Sequence, residues 1–253
     1  MSVVPIRHIH AVEKFHLLFL AQLGARVEKK LYALKGGCNL RFFFKSIRYS
    51  QDIDFDVRTI ARETLRKNVN QILTGSGFKR ILRSSKIELT QLSEPKQTDT
   101  TQRWKVHVRV EGSPADLPSR IEFSRRRFDE GVVFEAFDAE IARIHDLRPI
   151  LASHYGLEAA FAQKIDALTG RAQTQARDIF DLALLAERGG PALKIRAEKK
   201  KAAVAAENAM SVSFDQFKSQ VVAYLPPEYQ EHYGTQKIWD SLQENVIKIL
   251  ESL

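Results

Sequence analysis

The chain has a single cysteine, Cys38, in 253 residues. That excludes an intramolecular disulfide and any zinc site built from several thiolates. No stretch reaches the roughly 18 consecutive apolar residues that a membrane helix needs. The opening segment MSVVPIRHIHAVEKF lacks the apolar centre of a secretory signal. Together these absences predict a soluble, cytoplasmic protein without a membrane partner. Acidic residues are outnumbered, 31 Asp and Glu against 39 Lys and Arg, which leaves a formal net charge of +8. A basic balance of this kind points to a polyanionic partner such as a nucleotide or nucleic acid. There is no internal repeat, and the length fits one large domain or two small ones. With 44% of residues hydrophobic, a sizeable core is available.

What the chain does have is concentrated in Leu34–Asp56, LKGGCNLRFFFKSIRYSQDIDFD. Asp52, Asp54 and Asp56 stand at every second position. If Ile53–Val57 is a strand, Ile53, Phe55 and Val57 share one face and the three carboxylates the other. Like charges stacked on one strand face are destabilising unless a cation sits among them. Hard oxygen ligands favour Mg²⁺ or Mn²⁺ over zinc. Upstream, Tyr32–Leu34 reads as a short strand, Gly36-Gly37 as a turn, and Asn39–Lys45 as a helical turn. A strand, a glycine turn and a helix start can bind phosphate through free amides and the helix dipole. The same pair also suits a plain turn.

The remaining pattern predicts an α+β protein. His8–Gly24 and Thr59–Leu73 carry helical apolar spacing. Phe78–Arg83, Lys86–Leu92, Trp104–Val110, Arg120–Ser124 and Val132–Phe137 read as strands, with Ser93–Thr101 and Gly112–Pro118 as loops. The basic face of Trp104–Val110 (Lys105, His107, Arg109) reads as solvated in preference to a nucleic-acid contact. In RIEFS, Glu122 faces away from Ile121 and Phe123, and beside Ile53–Val57 it would be a third carboxylate of the metal site. Arg125, Arg126 and Arg127 follow, either meeting phosphate or solvated. From Asp138 the pattern turns helical, which divides the chain into 1–137, a part with strands and helices, and 138–253, a helical domain. Lys194–Asn208 reads as an exposed helix or linker. Along Leu157–Arg171, at about 100° per residue, Lys164 lies at the edge of the apolar arc. Asp178 and Asp181 share the apolar face of the next helix. An inward lysine and two inward acids suit either an interhelix ion network or a site.

Three segments in this order, LKGGCNLRFFF…RYSQDIDFD, RIEFSRR and QKIDALTGRAQTQARDIFDLALL, resemble the AbiEii/AbiGii-type nucleotidyltransferases. These are toxins of bacterial toxin–antitoxin and phage-abortive systems, and they include the MenT group. The resemblance spans roughly Tyr32 to Ala186. Its glycine and DxD parts recur across the DNA polymerase β-like superfamily, and the RD-x-x-DL part narrows it to this family. It implies a nucleotidyltransferase-type mixed sheet followed by a helical C-terminal domain. It further implies metal binding by Asp52, Asp54 and Glu122, with Glu122 able to deprotonate the acceptor. Nucleotide binding falls to Gly36, Gly37, Cys38, Arg41 and Lys164, and an orienting role to Asp178 and Asp181. Cys38 departs from the pattern, which has a hydroxyl residue there. A thiol is a poor donor, so phosphate binding would rest on backbone amides.

The chemistry implied is transfer of a nucleoside monophosphate from an NTP to an acceptor hydroxyl, with Mg²⁺ or Mn²⁺ as cofactor. The acceptor implied is RNA, foremost the tRNA 3′ end, and a cognate antitoxin encoded nearby is the implied partner. Nucleotidylation of a protein or small molecule, a non-catalytic nucleotide- or partner-binding protein, and a metal-dependent nuclease are the competing readings.

Overall fold

A computed structural model describes residues 6–125, 128, 130–190, 193 and 198–253. Arg126, Arg127 and residues 194–197 of the Lys- and Ala-rich segment lie outside the described residues. The chain forms two compact units. Among the described residues, one comprises 6–43 together with Tyr49–Tyr155; the other comprises Phe44–Arg48 and Gly156–Leu253.

The first unit is built on a seven-stranded sheet. Its helices are α1 (Ile6–Arg26), α2 (Gly36–Phe44, whose last residue belongs to the other unit), α3 (Arg62–Thr74), α4 (Ser76–Ser84) and α5 (Ala139–Ile144). Its strands are β1 (Tyr32–Lys35), β2 (Asp52–Val57), β3 (Ile87–Gln97), β4 (Thr101–Val110), β5 (Asp116–Arg125), β6 (Val132–Ala136) and β7 (Leu151–Tyr155). The spatial order is β3-β4-β5-β2-β1-β7-β6. The β2–β5 and β1–β7 pairs are parallel and the others antiparallel, so the sheet is mixed.

Period two sorts the sheet into an apolar and a charged face. Ile53, Phe55, Ile121, Phe123, Trp104, Val106 and Val108 are buried with Phe15 and Phe19 of α1, Val69 of α3 and Phe78 of α4. Phe55 stacks on Phe123 at 4.9 Å between ring centroids, and Phe15 meets Phe78 at 6.1 Å. The indole N–H of Trp104 donates to Asn70 Oδ1 of α3 at 2.7 Å, which satisfies its one polar atom. Burying an aromatic side chain of this size contributes roughly 2–3 kcal/mol. Helices α1, α3 and α4 therefore cover this face, and the charged residues of β2, β4 and β5 point the other way.

Several expectations are corrected here. Phe78–Arg83 is helical: Phe78 and Leu82 are the buried pair of α4, an i, i+4 spacing that alternation obscured. Ser93–Thr101 is no loose connection, since β3 runs through Pro95 to Gln97 and the hairpin closes with Thr98 N–H donating to Thr101 O at 2.9 Å. The strand accommodates Pro95 beside a break in pairing register between Ser93 and Lys96. β5 begins at Asp116, inside the expected loop, where Arg109 grips the Asp116 carboxylate through two hydrogen bonds of 3.0 Å. Asp138 caps α5, its carboxylate accepting from Glu140 N–H at 2.9 Å. Beyond it lies β7, a strand that the helical reading of this region missed, so the sheet unit continues to Tyr155. β7 is buried at four consecutive residues and shows no alternation to read.

The second unit is helical: α6 (Leu157–Gly170), α7 (Ala176–Gly189), α8 (Lys199–Met210), α9 (Phe214–Gln220), α10 (Pro227–Tyr233) and α11 (Gln236–Glu251). Its core includes Phe161, Ile165, Leu168, Ile179, Leu182, Leu185, Phe217, Trp239 and Leu250. Phe217 and Trp239 stack at 4.6 Å. Ser213 and Gln216 form a capping box at the start of α9. The expectation of an exposed helix is corrected over α8, which packs through Ala202, Ala205, Ala206 and Ala209 at helical spacing. Small residues hid that face because they carry little apolar signal.

Candidate active site

In the sheet unit the site grows from one cross-strand row. Lys35 of β1 stands opposite Asp54 of β2, Asp54 opposite Glu122 of β5, and Glu122 opposite Arg103 of β4. Paired residues project to the same side, so the row reads cation, carboxylate, carboxylate, cation. One step along, Asp52 pairs with Arg120 and Arg120 with Lys105. Arg120 Nη2 lies 2.7 Å from Asp52 Oδ2, and Arg103 Nε donates to Glu122 Oε2 at 2.7 Å. The Asp54 side chain makes no hydrogen bond or ion pair within 4 Å among the described residues. Its carboxyl is pushed up to about 6 by the surrounding protein, drawn down by Arg120 and Lys35, and raised further by Asp52 and Glu122. Asp56 differs from its neighbours. It is buried, paired with Lys35, and accepts from the Tyr155 hydroxyl at 2.7 Å. The third acid of the DIDFD run therefore fixes the β1–β2–β7 part of the sheet.

Gly36 opens α2 with φ +68°, a left-handed backbone that glycine adopts at little cost. A Cβ at this position would lie 3.2 Å from Asp54 Oδ2. Glycine thus lets the first turn of α2, whose initial amides have no intrahelical acceptor, approach the unpartnered carboxylate. Amides and a carboxylate so close together suit a ligand carrying phosphate and a metal ion.

Asp52, Asp54 and Glu122 are hard oxygen donors that fit Mg²⁺ or Mn²⁺ in kind. Asp54 has both oxygens available, while Asp52 and Glu122 are each ion-paired with an arginine. Among the described residues no three His, Cys, Asp or Glu side chains converge into a metal-binding cluster.

Two residues expected at the nucleotide have side chains engaged within the protein. Cys38 is buried, its Sγ 3.2 Å from Asp52 O and 3.5 Å from His16 Nδ1, and burial pushes its thiol well above the usual range. Its side chain helps hold the start of β2, as does Ser50 Oγ, which donates to Asp52 O at 2.8 Å. Arg41 turns inward: Nε donates to Glu13 Oε1 at 2.6 Å, and the guanidinium lies 4.3 Å from the Tyr49 ring centroid. Glu13 also meets His145 Nε2 at 2.7 Å, completing a buried polar cluster. Arg125 is likewise engaged internally, donating to Gln102 Oε1 at 2.6 Å.

The helical unit assembles a second constellation. Lys164 of α6 donates to Asp178 Oδ1 at 2.9 Å and lies 2.6 Å from Asp181 Oδ2, both carboxylates standing on α7. Arg171 Nε is 3.0 Å from Asp178 Oδ2, and Arg48 Nη2 is 2.9 Å from Asp181 Oδ2. Buried Lys164, Arg48, Asp178 and Asp181 thus share one network, which the exposed Arg171 joins from its edge. Burial alone would lower the Lys164 ammonium, but Asp178 and Asp181 outweigh it and hold the group above its ordinary value. Burial would raise Asp178, yet Lys164 and Arg171 hold it below the usual carboxylate range. Lys164 is a fixed ammonium, with two of its three N–H directions committed. The sequence brought Lys164, Asp178 and Asp181 forward but assigned nothing to Arg48, although it sits four residues before Asp52 in RYSQDIDFD.

A mixed sheet that carries paired carboxylates beside a glycine-opened helix defines the nucleotidyltransferase class, and solved structures share the fold. MenT4, a nucleotidyltransferase toxin of Mycobacterium tuberculosis H37Rv, is 16% identical with a TM-score of 0.62, covering 96% of this chain and 97% of its own. JHP933 of Helicobacter pylori is 17% identical with a TM-score of 0.57, covering 98% and 94%. No curated protein sequence matches. The profile described as "Nucleotidyl transferase AbiEii toxin, Type IV TA system" matches residues 18–246, and the chain belongs to that family. No helix among the described residues is long and apolar enough to cross a membrane.

Proposed function

We propose that this protein is a metal-dependent nucleotidyltransferase that moves a nucleoside monophosphate from an NTP to the 3′ hydroxyl of an RNA, foremost tRNA. It would act as the toxin of a bacterial pair whose antitoxin is encoded nearby, in phage defence. The observation that carries this reading is the register of Asp54 against Glu122, flanked by Asp52 and closed by the Gly36 turn. Asp52, Asp54 and Glu122 would hold a divalent ion, which would supply charge neutralisation at the reacting phosphate. The acceptor oxygen bonds to the α-phosphorus, the bond to the pyrophosphate oxygen breaks, and the acceptor proton passes to Glu122. The amides of Gly36, Gly37 and Cys38 receive phosphate oxygens. Lys164 is the nucleotide cation that the family resemblance assigns, held charged by Asp178 and Asp181. The net charge of +8 supports a polyanionic acceptor. The test is incubation of the purified protein with each labelled NTP, Mg²⁺ and total RNA. Label on RNA supports the reading; label only on protein, or RNA shortening, would replace it.

A further inference from the structure

The charged face of β3, β4 and β5 continues outward from the carboxylates. Lys96 of β3 pairs with Arg103 of β4, and Arg103 with Glu122. Ser93 pairs with Lys105, and Lys105 with Arg120, which holds Asp52. Lys96, Arg103, Lys105 and Arg120 therefore form a block of four cations on one face, bordering the carboxylates directly.

Two features make this arrangement more than a solvated strand. The first is the register break between Ser93 and Lys96, which places two β3 residues opposite a single β4 residue. Residues three apart on a regular strand face opposite ways; the extra residue turns Lys96 to the side of Ser93. A bulge of this kind re-aims a side chain. Glu94, before the turn, faces α3 and accepts from Arg66 Nε at 2.6 Å and Asn70 Nδ2 at 2.9 Å. The second feature is partnering. Arg109, further along β4, is neutralised by Asp116. Lys96 and Lys105 are exposed and have no ion-pair partner among the described residues. Positive charge left uncompensated next to a carboxylate row matches an anionic strand whose end must reach those carboxylates.

We propose that Lys96, Lys105, Arg103 and Arg120 form the acceptor-binding surface, which holds the phosphate backbone of single-stranded RNA leading to its reactive 3′ end. This rests on the nucleotidyl-transfer reading. Arg103 and Arg120 link the surface to the carboxylate row, while Lys96 and Lys105 contact the phosphates behind the terminal nucleotide. Strand spacing of about 4.8 Å and a two-residue step of about 6.8 Å set the grid on which those phosphates are met. The contacts are electrostatic and carry no base preference of their own.

The experiment compares wild type with Lys96→Glu/Lys105→Glu and with a control of equal charge change, Lys79→Glu/Arg83→Glu, on the exposed side of α4. RNA affinity is measured by fluorescence anisotropy across a salt series, and the KM for RNA in the labelling assay is measured alongside. The sheet-face variant should bind RNA at least tenfold more weakly, with a salt slope shallower by about 1.4 for two lost single-strand phosphate contacts. Its KM for RNA should rise while the control stays within twofold of wild type. Equal losses in both variants would show a diffuse charge effect and overturn the proposal. An unchanged sheet-face variant would overturn it while leaving nucleotidyl transfer to RNA intact. Failure of wild type to label RNA with any NTP would instead remove the underlying reading, and the proposal with it.

Discussion

Asp54 on β2 and Glu122 on β5 stand in register on adjacent parallel strands, and the Cβ missing from Gly36 would lie 3.2 Å from Asp54 Oδ2. Two carboxylates one strand apart, one of them without a protein partner, are unfavourable without a cation. Gly36 is the residue that lets the first turn of α2 approach them closely.

Gly36→Ala tests that turn. The left-handed backbone costs an alanine about 1–2 kcal/mol, and the new methyl group presses on the Asp54 carboxylate. The variant should remain folded with a modestly lower urea midpoint, and its NTP affinity should fall at least tenfold. Wild-type affinity in the folded variant would show that the turn is only a bend in the chain.

The buried network should show in stability. Lys164→Ala leaves Asp178 and Asp181 with arginines alone, and breaking a buried ion pair costs about 3–5 kcal/mol. Arg48→Ala should be milder, because Asp181 keeps Lys164. Urea denaturation of the two variants gives the order. Equal, small losses would mean that the carboxylates are solvated in solution.

Acid should destabilise the sheet unit through two histidines. Burial pushes His16 down to about 3, with Glu13 opposing, and His154 down to about 4, with its bond to the Tyr155 carbonyl opposing. The unfolded chain, with histidine near 6.5, binds more protons below that pH, so stability falls as pH drops from 6.5 toward these lowered values. At about 1.4 kcal/mol per pH unit for each group, the loss by pH 5 is roughly 2 kcal/mol per histidine. His154→Gln should flatten the dependence of the urea midpoint between pH 7.5 and 5. A slope identical to wild type would contradict a neutral, buried His154.

Cys38 should be inert in the native protein. Its Sγ faces Asp52 O and His16 inside the core, and burial holds the thiol protonated. An aromatic disulfide reagent should modify it only at the rate of unfolding. Cys38→Ser should leave NTP affinity unchanged within twofold. A tighter-binding serine variant would show that the side chain does reach phosphate.

The DIDFD alternation made β2 and its charged face legible, because a half-buried strand writes its orientation as period two. Glu122 was readable for the same reason in RIEFS. Lys164, Asp178 and Asp181 were visible as polar residues on apolar helical faces. The inward course of Cys38 and Arg41 was not legible: their partners, His16 and Glu13, are more than twenty residues away in α1. Nor was β7, which is buried at four consecutive residues and carries no alternation. The same DIDFD alternation gave Asp52, Asp54 and Asp56 equal standing, and only the packing of Lys35 and Tyr155 sets Asp56 apart as structural.

On the proposed function, nucleotidyl transfer depends on the Asp54–Glu122 pair. The most direct measurement is transfer of label from each NTP to total RNA with Mg²⁺, comparing wild type with Asp54→Asn. RNA labelling with at least one NTP is expected, dependent on Mg²⁺, with at least a hundredfold loss in the variant while its fold and unfolding midpoint are retained. Labelling by Asp54→Asn at the wild-type rate would contradict it.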